Sequence, residues 1–128
     1  MTHRFLFLSV GLLLTAATVD AHHSFARMYF EEKEISLEGA VVSYDYRNPH
    51  TWVYFTAKDP TGVSRRYGAE WSNPRRLGQQ GVVANTLRAG DFVIVTGAPN
   101  RNSNDYTVHL KTIRRPADGW SWPGGGSR

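Results

Sequence analysis

Turn-forming residues recur at short intervals along this chain, and the runs between them are short and rich in β-branched and aromatic residues. Asn-Pro stands at 48–49, Asp-Pro-Thr-Gly at 59–62 and Ala-Gly-Asp at 89–91. Such spacing is typical of strands joined by tight turns, and the sequence shows no helical heptads or internal repeats between them. The chain is therefore predicted to fold as an all-β domain, either a small barrel or a small sandwich.

Five strands are predicted, over residues 35–46, 51–57, 64–71, 92–96 and 106–114. Asn73-Pro74 predicts the start of a short helix between the third and fourth strands, because Asn caps helices well and Pro suits the first helical position. Five strands with this helix match the plan of the OB fold, a Greek-key barrel. We expect antiparallel pairing throughout, a bend or bulge at Gly39, and a core that includes Leu37, Val41, Ile94 and Leu110.

Residues 1–21 are predicted to be a signal peptide. A basic start is followed by an apolar run over residues 5–14, which is too short for a membrane-spanning helix of about 20 residues. Val19, Asp20 and Ala21 suit cleavage after Ala21, and cleavage after Ala17 is the rival. The chain has no cysteine, so neither lipoprotein acylation nor a disulfide is expected. We expect a periplasmic or secreted protein without a membrane anchor.

Cleavage after Ala21 leaves about 107 residues, enough for one domain with a single core. That domain is predicted over residues 22–118, followed by a flexible Gly-rich tail over 119–128 that contains Trp120 and Trp122. The formal net charge is +4 and most cations are arginines, which would suit nucleic acid. Because export argues against a nucleic-acid partner, the arginines are interpreted as a solvated surface.

Several motifs together resemble a known family. His-His-Ser-Phe stands at 22–25, Asn-Pro-His at 48–50 followed by Trp52, a Pro-containing helix start near 74, and Leu-Arg-Ala-Gly-Asp at 87–91. In these motifs, from His22 to about Asp118, the chain resembles the small exported bacterial proteins catalogued as domain of unknown function 6152. The resemblance implies a periplasmic β-barrel protein with no assigned activity.

The histidines indicate a metal site. Cleavage after Ala21 would make His22 the first residue, so that its α-amine and imidazole could chelate one ion together with the imidazole of His50. This T-shaped arrangement is a histidine brace, and its nitrogen ligands favour Cu(II). Cleavage after Asp20 would place His23 third from the amine, which is another planar copper chelate. The hypothesis is a copper site of His22, His23 and His50.

Two further residues are possible minor ligands, His109 in the fifth strand and Glu70 in the third. The plainer alternatives are a surface histidine, a carboxylate paired with an arginine, and an exposed chain start at His22 and His23. Neither catalytic residues nor a phosphate-binding loop is apparent. Aromatic residues alternate in the second and third strands and could form a ligand platform, but packing in the barrel core and across strands is the favoured interpretation for Trp52, Tyr54, Tyr67 and Trp71.

Three functions follow in order of preference. The first is a periplasmic copper-binding protein for metal storage, delivery or resistance. The second is a metal-free OB-type module that binds an organic ligand or another periplasmic protein, and the third is a copper-dependent oxidase. The oligomeric state is not predicted.

Overall fold

The computed structural model describes residues 24–124, so the predicted signal peptide, His22, His23 and the end of the predicted tail lie outside the described residues. Residues 24–28 are helical. The elements that follow are β1 Ile35–Asp45, β2 Trp52–Lys58, β3 Ser64–Glu70, α1 Pro74–Gln79, β4 Phe92–Pro99, β5 Thr107–Arg115 and β6 Trp120–Trp122. No helix in the described part of the chain is long and apolar enough to cross a membrane.

The first five strands close into a barrel. β1 pairs with β2 and β4, β2 pairs with β3, and β4 pairs with β5, all antiparallel. β3 and β5 complete the ring in parallel, which gives the strand pairing of the OB fold. The expectation of antiparallel pairing throughout is wrong at this seam. A ring with an odd number of strands cannot alternate direction at every step, so at least one neighbouring pair must run parallel.

The barrel interior is filled by the alternate residues of each strand. Leu37, Val41 and Leu110 are buried as predicted, whereas Ile94 is only half-buried because Val93 and Val95 face the core instead. The remaining strand residues in the core cluster are also apolar: Val53, Phe55, Ala57, Tyr67, Ala69, Val108 and Ile113. The core thus confirms Leu37, Val41 and Leu110 as predicted and corrects Ile94.

Gly39 allows β1 to lie close to β2. A Cβ atom at this position would stand 1.6 Å from the carbonyl oxygen of Thr56, so no larger residue fits without a backbone shift. The irregularity in the β1–β2 register occurs instead between Val41 and Ser43. The bulge predicted at Gly39 therefore lies a few residues further along the strand.

The short helix forms where its capping residues predict. The Asn73 side-chain oxygen accepts a hydrogen bond from the Arg76 amide at 2.8 Å, and Pro74 occupies the first turn. Leu77 is fully buried and fixes α1 against the barrel core. The helix therefore closes one end of the barrel between β3 and β4.

The predicted flexible tail is wrong for Trp120–Trp122, which form β6 and pair with β5. The Trp122 ring packs edge-on against Trp71, with ring centroids 5.0 Å apart, and its Nε1 donates to Gln80 Oε1 at 3.0 Å. Packing of the Trp122 indole ring and its hydrogen bond to Gln80 offset the conformational entropy that is lost when this segment becomes ordered. The sequence suggested flexibility because its glycines lie directly after these tryptophans.

Candidate functional site

His50 is held by a buried carboxylate. It lies in the loop before β2, and its Nδ1 atom is 2.8 Å from Glu70 Oε1 at the end of β3. The other carboxylate oxygen of Glu70 accepts a 2.6 Å hydrogen bond from the Tyr29 hydroxyl. Burial raises the pKa of Tyr29, and its hydrogen bond to Glu70 raises it further. Tyr29 therefore stays a neutral donor that fixes the carboxylate facing His50.

The parallel seam places a second histidine beside this group. Glu70 and His109 are register partners in the β3–β5 pairing, and His109 points to the outer face because Val108 and Leu110 point into the core. His109 Nδ1 lies 2.7 Å from Glu31 Oε1. Each histidine thus has its own carboxylate partner on the outside of the barrel.

Lys111 completes the ion-pair cluster around His109. Its Nζ atom donates to Glu31 Oε2 and lies 3.3 Å from His109 Nδ1. Burial acts to raise the pKa of Glu31, but hydrogen bonds from Lys111 and His109 outweigh it and the pKa is lowered. Burial, together with the nearby Lys111 cation, lowers the pKa of His109 and outweighs the raising effect of Glu31 and Glu70. The arrangement is an ionised carboxylate beside a neutral imidazole.

Phe25 brings the start of the described chain onto both imidazoles. Its ring stacks on His109 with centroids 3.8 Å apart and planes 7° from parallel, and on His50 with centroids 5.2 Å apart. The segment is fastened by the Phe30 amide, which donates to the Pro99 carbonyl at 2.9 Å, and by the Arg101 guanidinium, which donates to the Ala26 carbonyl at 2.9 Å. Residues 24–30 therefore lie over His50 and His109. These two histidines, with Glu70, Glu31 and Lys111, are called the histidine cluster below.

The carboxylate contacts at Nδ1 determine which nitrogen of each imidazole is left to bind a metal ion. An ionised carboxylate only accepts hydrogen bonds, so each Nδ1 must carry the proton and the lone pair of a neutral imidazole resides on Nε2. Imidazoles that bind metals are commonly oriented by such carboxylates. Stacking on Phe25 covers ring faces, whereas a metal binds in the ring plane, so the two contacts use different parts of each imidazole.

The structure brings three of the predicted site residues together, namely His50, Glu70 and His109. Glu70 contacts a histidine and a tyrosine rather than an arginine, and His109 is a half-buried member of the cluster rather than an isolated surface residue. His22 and His23 lie outside the described residues. Within residues 24–124, no group of three or more His, Cys, Asp or Glu residues is arranged to hold a metal ion.

Sequence reasoning missed four members of the cluster: Phe25, Tyr29, Glu31 and Lys111. Glu31 contacts His109 although the two residues lie 78 positions apart in the sequence. Spacing gave one usable signal, since His109 and Lys111 alternate on the outer face of β5. No comparable signal marks Glu31.

The aromatic residues of β2 and β3 do not form a single face. Tyr67 and Trp71 are buried in the core, as the packing interpretation predicts. Trp52 and Tyr54 are half-buried on the outer face, because Val53 and Phe55 between and beyond them fill the interior. The outer pair lies outside the core and packs across the strands, over Gly68 of β3, which is the cross-strand part of the predicted packing.

Fold and site together define a small OB-type β-barrel with two carboxylate-supported histidines on its outer face. The chain belongs to the Family of unknown function (DUF6152), whose model matches residues 10–109. That match includes His50, Glu70 and His109 and ends before Lys111 and β6. No curated protein and no solved structure matches the chain.

Proposed function

We propose that this protein is an exported copper-binding protein that acts in metal storage, delivery or resistance. Its site would combine the α-amine and imidazole of His22 with the imidazole of His50, and His23 and His109 would supply further imidazole nitrogen. The observation that carries the proposal is the pair of imidazoles, His50 and His109, each bonded through Nδ1 to its own carboxylate.

The position of Phe25 supports a contribution from the chain start. Phe25 contacts both imidazole rings and follows His22 by three residues. Three residues span at most about 11 Å between Cα atoms even when fully extended. An amine at residue 22 would therefore have the reach to join His50 and His109.

The donor set supports copper over other metals. Imidazole and amine nitrogens are the ligands offered, and nitrogen sites bind Cu(II) more tightly than Zn(II). Because the described residues alone hold no group of three metal-binding side chains, the chain start is needed to complete the site. The proposal therefore depends on processing that exposes the His22 amine.

The test uses full-length precursor expressed with its own leader and purified after export. Intact mass should give His22 as the first residue, and the protein should take up one Cu(II) with a type-2 electron paramagnetic resonance spectrum. His50→Ala should weaken copper binding at least about tenfold, the expected result of losing one ligand or its support. Lys58→Ala, an exposed change on the same sheet, is the matched control and should leave binding unchanged.

A second variant isolates the amine. Three glycines inserted between Ala21 and His22 convert the His22 amine into a peptide nitrogen and leave both histidines beyond the third position from the new amine. Copper binding should then weaken strongly while the barrel stays folded. Copper affinity equal to that of the wild-type protein in either His50→Ala or the glycine-extended protein would overturn the proposed brace.

A further inference from the structure

The outer face of β2 and β3 carries a stack of flat side chains beside the histidine cluster. The rings of Trp52 and Tyr54 lie 8° from parallel with centroids 5.8 Å apart, and the Arg66 guanidinium lies 4.8 Å from the centre of the Tyr54 ring. Trp52 is the register partner of Glu70. We call Arg66, Tyr54 and Trp52 the aromatic ladder; it runs along the barrel surface toward His50.

Gly68 lets the ladder lie against the sheet. It stands opposite Tyr54 in the β2–β3 register, and a Cβ atom there would be 3.1 Å from Tyr54 Cε1 and 3.2 Å from Trp52 Cζ3. Those distances are tighter than ordinary van der Waals contact, so a side chain at this position would push the rings outward. The two rings therefore pack directly on the β3 backbone at Gly68. The interior side of β2 is filled by Val53 and Phe55.

Two neighbouring arginines, Arg65 on β3 and Arg115 on β5, form ion pairs with aspartates, whereas Arg66 packs on an aromatic ring. Arg65 is bonded to Asp59, and Arg115 is bonded to Asp91 and Asp118. Within the described residues, Arg66 is exposed and contacts Tyr54 with no carboxylate in ion-pair range. A guanidinium held on a ring face, with its donors toward solvent, suits a carboxylate of a ligand.

Charge changes sign along the ladder. Trp52 has Asp45 of β1 as a register partner, and cross-strand partners share a face. Its partner on β3, Glu70, is buried and paired with Tyr29 and His50, so Asp45, which is only half-buried, supplies the negative charge at this end. A polymer with a negative charge on every unit would meet Arg66 at one end and the Asp45 carboxylate at the other. A chain in which an acidic ring alternates with a neutral ring avoids that repulsion.

We propose that the aromatic ladder binds a sugar chain in which uronic acid units alternate with neutral units. The uronate carboxylate would pair with the Arg66 guanidinium, and the neighbouring neutral ring would pack on Trp52. In the OB fold, ligands bind on the face formed by the second and third strands, which is where the ladder lies. The proposal does not rest on copper binding, because none of the three residues is offered as a metal ligand.

The experiment is isothermal titration of the full-length exported protein, kept metal-free with a chelator, with a hyaluronan hexasaccharide, whose uronate and N-acetylglucosamine units alternate. Saturable binding is expected at low salt. A neutral chitin hexasaccharide tests the need for the carboxylate and should bind at least about tenfold more weakly. A single-stranded hexanucleotide tests the competing class of anionic polymer and should also bind more weakly.

Variants assign the binding to the ladder. Arg66→Ala removes an exposed side chain, so the protein should stay folded and bind the hexasaccharide at least about tenfold more weakly. Trp52→Ala should weaken binding of both sugars. Arg75→Ala, an exposed arginine on α1, is the control and should leave binding unchanged. No saturable binding of hyaluronan, equal binding of the neutral sugar, tighter binding of the oligonucleotide, or an unaffected Arg66→Ala would each overturn the proposal.

Discussion

Glu70 and His109 lie opposite each other in the parallel pairing of β3 with β5, the seam that closes the barrel. Glu70 binds His50 and His109 binds Glu31, so the seam joins two histidine–carboxylate pairs that are distant in sequence. The cluster can exist only when the barrel is closed. A ligand of the histidines would therefore stabilise the whole fold, since it binds the folded state alone.

Glu70→Gln is expected to destabilise the barrel. Glu70 is 9% exposed and accepts from both Tyr29 and His50, so the neutral amide loses a charge-assisted bond and presents a donor where an acceptor is needed. The expected loss is about 1–3 kcal/mol in the free energy of unfolding, measured with urea. Glu38→Gln, at an exposed position of β1, is the control and should change stability little. Equal effects at both positions would contradict the described role of Glu70.

Trp122→Ala tests whether β6 belongs to the folded domain. Removing the half-buried ring uncovers the edge of Trp71 and should cost about 1–3 kcal/mol, less than the change at a fully buried tryptophan. Gln80→Ala removes only the acceptor of the indole hydrogen bond and should cost about 0.5–1.5 kcal/mol. Unfolding curves of Trp122→Ala that superimpose on those of the wild-type protein would mean that β6 does not stabilise the barrel.

Gly39→Ala should be far more damaging than an alanine at a turn glycine. The added Cβ would stand 1.6 Å from the Thr56 carbonyl oxygen, so β1 and β2 must separate, at an expected cost of about 3 kcal/mol or more. Gly81→Ala is the comparison, because Gly81 has φ +79° and open space around it. Its cost should be roughly 1–2 kcal/mol of left-handed backbone strain. Urea unfolding of the two variants measures the difference, and a similar loss in both would refute the close approach.

Acid should weaken the turn between β2 and β3 through Asp59. Hydrogen bonds from the Thr61 hydroxyl at 2.6 Å and from Arg65 Nε at 3.0 Å, together with the Val63 amide, hold the Asp59 pKa well below its usual range. A group with a lowered folded pKa stabilises the protein above its unfolded pKa, about 3.9, and loses that contribution as the pH falls further.

The measurement for Asp59 compares wild-type protein with Asp59→Asn. The variant should have the lower melting temperature at pH 5 to 7, and the gap should narrow as the pH falls below about 4, because unfolded wild-type chains then bind a proton at Asp59 that the folded protein, with its lowered pKa, does not bind. A gap that stays constant down to pH 2 would show that ionised Asp59 does not stabilise the turn.

Much of the fold could be predicted because its causes are local. Alternation of apolar residues placed β1 within one residue of its observed end, and Asn73-Pro74 placed the start of α1. Ile94 was misassigned to the core because β4 is apolar on both faces, so alternation could not set its phase. β6 was missed because its pairing with β5 outweighs the flexibility of the glycines that follow it.

The sequence by itself determined the positions of the first five strands to within a few residues, the turns, the helix cap and the chemical type of the candidate ligands, because each depends on residues a few positions apart. Only the tertiary structure decided the parallel seam, the partners of His50 and His109, and the split of the aromatic residues between core and surface. Those features require barrel closure, which brings Glu31 to β5 and Glu70 to the loop of His50. Side-chain pairs so distant in sequence leave no periodic pattern, so their contacts appear only when the strands have found their neighbours.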